Sequence, residues 1–192
     1  MSGLLTAGIL QQARNLATKK QYALSFDGVN DYVRIPRILD PKRFDIQLSL
    51  NGISTPRYFV GTDVQIGGIR YNGTSLAFYH NTGTFYILTY THSVPSPILS
   101  FRFESGFWSF YENDILKASN FSSIRSFAIG YIGKREDGYF YPGQVQSFFA
   151  TDNNDEFIAD YDFTNPDPNT LFDKSPNANH GTIYGAQWIE LP

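Results

Sequence analysis

From Tyr22 onward, apolar and polar residues alternate with a period of two. The pattern is clearest where Phe44, Ile46, Leu48 and Leu50 interleave with Asp45, Gln47 and Ser49. Successive side chains of a strand point to opposite faces, so this spacing predicts a strand with one buried face. Asn72-Gly73 lies between IRY (69–71) and TSLAFY (74–79) and predicts a hairpin, because both turn residues tolerate positive φ. Further strand-like runs are TFYILTY (84–90), ILSFRF (98–103), FWSFY (107–111), DILKAS (114–119), SFAIGYIG (126–133) and GQVQSFFAT (143–151). FIADYDF (157–163) and GAQWIEL (185–191) complete the set. Turn signals such as Ser105-Gly106, Asn113-Asp114 and Asp137-Gly138 separate several of them. Roughly a dozen short strands at fairly regular intervals with no internal helix predict a β-sandwich or a jelly roll.

Before Tyr22 the period changes. Leu5, Ile9, Ala13 and Leu16 are spaced four, four and three apart and share one helical face, with Leu10 and Ala17 beside it. Lys19 and Lys20 close the segment, where a helix dipole favours cations. The expectation is a short N-terminal helix within residues 1–20, followed by a β-sandwich domain over 21–192. A lone helix of about 15 residues is marginal in water. It would pack on its own sandwich, or dock through Leu5, Ile9 and Leu16 onto another copy or a larger assembly. Residues 164–181, TNPDPNTLFDKSPNANHG, form a long polar loop. It is read as an excursion within the domain, because strand character resumes after it.

Composition narrows the choices. The 192 residues include 17 Phe, 13 Tyr and 2 Trp, yet only 17% are charged, against about 25% in an ordinary domain. Such a balance suits sheets with one packed and one half-wet face. The net charge is −3 and no basic run exceeds two residues, which excludes the electrostatic footprint of a nucleic-acid binder. The absence of cysteine removes disulfides, thiolate metal sites and thiol catalysis together. No charged side chain precedes Arg14, and Thr6, Gly8, Gln11 and Gln12 interrupt the apolar run, so neither a secretory signal nor a membrane span is expected. The reading is a protein made in a cytoplasm without its own export signal.

The two ends of the chain carry a family resemblance. LSFDGVNDYVRIP (24–36) is expected to form a hairpin, and it resembles the first hairpin, L-x-F-D-G-x-x-D-Y-V-x-x-P, of laminin-G-like members of the concanavalin A-like lectin/glucanase superfamily. DKSPNANHGTIYGAQWI (173–189) is similar to their closing segment, SFYENDILKAS to a central hairpin, and AIGYIGKREDGYFYPGQVQSFF to a late strand pair. The resemblance covers about residues 22–190 and implies an all-β, antiparallel jelly-roll β-sandwich whose first and last strands lie close together. It also implies that Phe140, in the charged and aromatic stretch GKREDGYFY (133–141), packs inward. In the opening segment, Gly28 and Asn30 suit a tight connection and Asp27 and Asp31 suit acceptors of backbone N–H groups. Leu24, Phe26, Val33 and Ile35 are expected to point inward.

Catalysis is not expected. A retaining glycosidase needs two carboxylates about 5–5.5 Å apart. Enzymes of the superfamily that the chain resembles carry them in an E-x-D-x-E strand, and no such run occurs here. Glu104 stands alone, and Asp152, Asp155 and Glu156 sit among asparagines at an expected turn. His80, His92 and His180 are the only histidines, and there is no G-x-S-x-G run. Calcium is the candidate cation. Asp27 and Asp31, with Asn30, and Asp173, with Asn177 and Asn179, supply hard oxygen donors that the terminal strands would bring near one another. The competing reading is that these are turn-forming side chains. For carbohydrate, Tyr71, Tyr79, Trp108 and Tyr111 are candidate stacking platforms, with a core role as the alternative for each.

Taken together, the expectation is a non-enzymatic, lectin-like protein. By analogy it is an accessory virion protein of a tailed bacteriophage that decorates capsid or tail. Its partners would be other particle proteins or further copies of itself, and host-surface glycans. The alternatives are a purely structural assembly protein with no sugar site and, further off, a glycoside hydrolase.

Overall fold

The computed structural model describes residues 20–62, 68–79, 85–121, 127–135 and 138–192. Its elements begin with β1 (Tyr22–Asp27), β2 (Tyr32–Leu39), β3 (Arg43–Leu48), β4 (Arg57–Gly61), β5 (Gly68–Tyr71) and β6 (Ser75–Tyr79). The chain continues through β7 (Phe85–Thr89), β8 (Ile98–Glu104), β9 (Phe107–Glu112), β10 (Ile115–Ala118) and β11 (Ala128–Ile132). It ends with β12 (Pro142–Thr151), β13 (Phe157–Asp160), β14 (Thr170–Leu171), β15 (Gly181–Tyr184) and β16 (Gln187–Glu190).

The strands form two antiparallel sheets. One has the order β10-β9-β8-β3-β12-β1-β16, with β13 also paired to β12. The other has the order β14-β15-β2-β11-β4-β5-β6-β7. The ends of the described chain meet, because β1 lies between β12 and β16, with Leu24 opposite both Val145 and Trp188.

The expected architecture is corrected in two respects. It included a short N-terminal helix, but every element of the described residues is a strand, and the described chain starts at Lys20 and enters β1 at Tyr22. Leu5, Ile9 and Leu16 lie outside the described residues. The second correction concerns the opening motif. β1 and β2 belong to different sheets, so the turn at 28–31 carries the chain across the sandwich rather than closing a hairpin. Alternation alone fixes which face a residue takes, not which strand lies beside it.

The core is aromatic. The Phe44 ring stacks on Phe101 at 4.8 Å and on Phe127 at 5.6 Å, and meets Trp108 edge-on at 6.2 Å. Phe78, from the other sheet, stacks on Phe127 at 4.7 Å and tilts against Trp108 at 5.3 Å. Aromatic pairs at these separations add to the gain from burial, which is roughly 1.5–3 kcal/mol for a fully buried large side chain. This sandwich of rings gives a rigid platform on which outward-facing residues of both sheets are displayed.

Candidate functional site

The expected stacking platforms divide by depth. Trp108 is 0% exposed and Tyr71 is 1% exposed, so both rings belong to the core and present no face to a ligand. Tyr71 gives its hydroxyl proton to the Gly73 carbonyl at 2.6 Å. Tyr111 is half-buried on the outer face of the first sheet, and the Arg102 guanidinium, itself paired to Asp114, covers its ring at 4.1 Å. Tyr79 pairs with Phe85 across β6 and β7, and its side chain lies outside the described residues.

The three aspartates considered for calcium are occupied by the chain itself. Asp27 Oδ1 accepts the N–H groups of Val29, Asn30 and Asp31, and Asp31 Oδ2 accepts the N–H of Asp27. These bonds, that from Val29 foremost, hold the Asp27 carboxyl below the usual aspartate range. Asp173 accepts the N–H groups of Asp160, Ser175 and Asn179 and the Ser175 hydroxyl. Burial by itself would raise its pKa, but these four donors outweigh burial and keep the carboxyl ionised. Among the described residues no three His, Asp or Glu side chains converge as a metal would require. Asp27, Asp31 and Asp173 thus act as turn-forming acceptors of backbone N–H groups.

A different surface gathers functional groups. Thr182, Ile183 and Tyr184 on β15 lie opposite Arg34, Val33 and Tyr32 on β2. Val33, Ile35 and Ile183 are buried, and alternation turns Tyr32, Arg34, Thr182 and Tyr184 to the outer face of the second sheet. There Tyr32 and Tyr184 stack with centroids 4.6 Å apart and planes 15° from parallel. Tyr131, which β11 places opposite Arg34, meets Tyr32 edge-on at 5.8 Å. Lys134 Nζ sits 3.8 Å from the Tyr32 ring centre and 4.4 Å from that of Tyr131. Phe140 completes the group, tilted against Tyr32 at 6.4 Å.

Beside this aromatic group runs a shallow groove of about 360 Å³, lined by Arg34, Ile35, Pro36, Arg37, His180, Thr182 and Tyr184. The turn at Asp173 sets its far wall, because the Asp173 N–H donates to His180 Nδ1 at 3.0 Å. With Nδ1 as acceptor, the neutral ring carries its proton on Nε2, where it can be donated. The edge of the ring rests on Phe172 at 5.3 Å. A second shallow groove, of about 520 Å³, lies between the 164–169 loop and the β15–β16 turn and is lined by Pro166, Pro168, Asn169, Gln187 and Trp188 among others. Its tryptophan is braced edge-on by Tyr22 and Phe163 and donates from Nε1 to the Asp167 carbonyl.

No protein-family model matches this sequence, and no curated protein matches it. Among solved structures, the chain is similar to a protein of Bacteroides ovatus ATCC 8483 provisionally described as carbohydrate-binding. The TM-score is 0.67 at 14% identity, over 90% of this chain and 60% of that one. An alginate lyase from Corynebacterium gives a TM-score of 0.23 at 13% identity, over 91% of this chain and 60% of that one. The β-glucanase of Bacillus licheniformis gives 0.27 at 13% identity, over 89% and 77%. The first similarity shows a shared β-sandwich fold. This chain spans about three fifths of the length of that protein.

Proposed function

We propose that this chain is a non-catalytic, lectin-like recognition module that contacts glycans on the β2–β15 face. The observation that carries this reading is the stacked Tyr32–Tyr184 pair, whose outer ring is 42% exposed at the lip of a polar groove. Sugar recognition needs a rigid aromatic face for the apolar side of a pyranose and a few fixed donors and acceptors for its hydroxyls. Tyr184 supplies the first, and Thr182, Arg34 and His180 supply the second. The provisional description of the Bacteroides ovatus protein as carbohydrate-binding is in keeping with this reading. The lack of an E-x-D-x-E strand in the sequence supports a role without turnover.

The setting we propose is a tailed-bacteriophage particle, with the protein made in the host cytoplasm and carried on capsid or tail. It rests on the analogy drawn from the sequence. The test of the recognition reading is a glycan array probed with the wild-type chain and with Tyr184→Ala. Signals lost in the variant support the reading, and measurable turnover of β-glucans would replace it with a hydrolase.

One observation favours a second reading, a purely structural assembly protein. Edge strand β10 leaves Ile115 63% and Leu116 52% exposed, and an open strand edge with apolar side chains is a ready surface for another chain. A silent array together with concentration-dependent assembly, abolished by Leu116→Lys, would select it.

A further inference from the structure

We infer that the β2–β15 groove selects acidic saccharides, with a carboxylate or sulfate group held by Arg34 beside a sugar ring stacked on Tyr184. This inference rests on the recognition reading above and adds the ligand class. Although the chain as a whole carries a net charge of −3, none of the described residues lining the groove is acidic, and Arg34, Arg37 and His180 all line it. The Arg34 side chain is exposed and has no hydrogen-bond or ion-pair partner among the described residues. An arginine fork left open on a sheet face, next to a hydroxyl donor at Thr182, matches the planar geometry of an acid group.

The sheet register sets the spacing. Tyr184 and Tyr32 form one cross-strand row, and Thr182 and Arg34 form the next, two residues along. At about 3.4 Å per residue, the rows lie roughly 7 Å apart. A ring on Tyr184 therefore brings its own acid group, or that of the neighbouring sugar, over Arg34. His180 is held by its Nδ1 bond to the Asp173 N–H, which leaves Nε2–H as a donor at the far end of the groove.

The experiment is an array of neutral, uronate-bearing and sulfated oligosaccharides. Calorimetric titration of its strongest binder follows, with the wild-type chain, Arg34→Gln and Lys42→Gln. Lys42 pairs with Asp155 at the end of the other sheet, so its variant loses the same charge away from the groove. Expected are signals confined to the acidic probes, and affinity that falls as salt rises. Expected too are about a tenfold or greater loss in Arg34→Gln and less than about a twofold change in Lys42→Gln, since charge-assisted hydrogen bonds are the strong ones. The uronate and sulfate arms tell which acid group is preferred. Neutral probes binding as well as acidic ones, or Arg34→Gln binding like wild type, would overturn the inference while leaving glycan recognition intact. Silence across the array would overturn both.

Discussion

Asp27 and Asp31 hold each other in place: Asp31 Oδ2 accepts the N–H of Asp27, while Asp27 Oδ1 accepts the N–H of Asp31 and of the two residues before it. The bonds lock the turn that carries the chain from one sheet to the other. The Asp31 carboxylate also abuts Gly185, where φ is +77° and a Cβ would meet Asp31 Oδ1. Asp31→Ala removes the acceptor and leaves the Asp27 N–H unpaired, which costs roughly 1–3 kcal/mol. For a chain of this size, the melting temperature should fall by several degrees. Gly185→Ala should destabilise too, through both the strained φ and the contact. Calorimetry on the two variants checks this, and a melt equal to wild type in both would contradict it.

Tyr141 ties the second connection of the same region. Its buried hydroxyl donates to the Ser49 carbonyl and approaches that of Gln144 at 3.2 Å, and burial raises its pKa far above that of a free tyrosine. Tyr141→Phe keeps the ring against Phe26 and removes only the donor. The expected loss is about 1–2 kcal/mol in denaturant unfolding with an unchanged m-value.

Acid should unfold the protein partly through Asp173. Its folded pKa is depressed, so above about pH 4, the ordinary aspartate range, its hydrogen bonds contribute fully to stability. That contribution is lost as pH falls through the depressed folded value, because the unfolded chain then binds the proton more readily. Asp27, Asp152 and Asp167, all depressed by backbone N–H donors, act with the same sign. Unfolding free energy measured between pH 6 and about 2.5 should therefore decline below pH 4, and Asp173→Asn should show a shallower decline from a lower starting stability.

Trp108 separates stability from recognition. It contacts Phe44, Phe78, Phe103 and Phe127 from the middle of the core. Trp108→Ala should cost about 3–5 kcal/mol. The milder Trp108→Phe should stay folded and bind glycan as wild type does. Loss of binding in a folded Trp108→Phe would place the recognition surface elsewhere.

Much of the sandwich was legible in the sequence because burial on one face imposes a period of two. Phe44, Ile46 and Leu48 all point inward as the pattern implies. The same rule, applied to parity within FWSFY, assigns Trp108 and Phe110 to one face and Ser109 and Tyr111 to the other, which already marks Trp108 as core. The groove was harder to see. Tyr184 follows the buried Ile183 and is turned outward by alternation, a signal available in TIYG. Nothing local tells that residue 184 lies beside residue 32, because cross-strand pairing joins distant segments. Arg34 likewise reads as an ordinary outward residue until Thr182 and His180 are brought beside it. The Asp173 turn was legible as turn chemistry, and its consequence for the His180 ring was not.

The most direct test of the account is an amide and side-chain NMR titration of the full chain with its strongest array ligand. The account predicts saturable shifts at Arg34, His180, Thr182 and Tyr184, with Ile115, Leu116 and Tyr111 on the other sheet unmoved. Shifts confined to the other sheet, or to the Trp188 groove with Tyr184 silent, would contradict it.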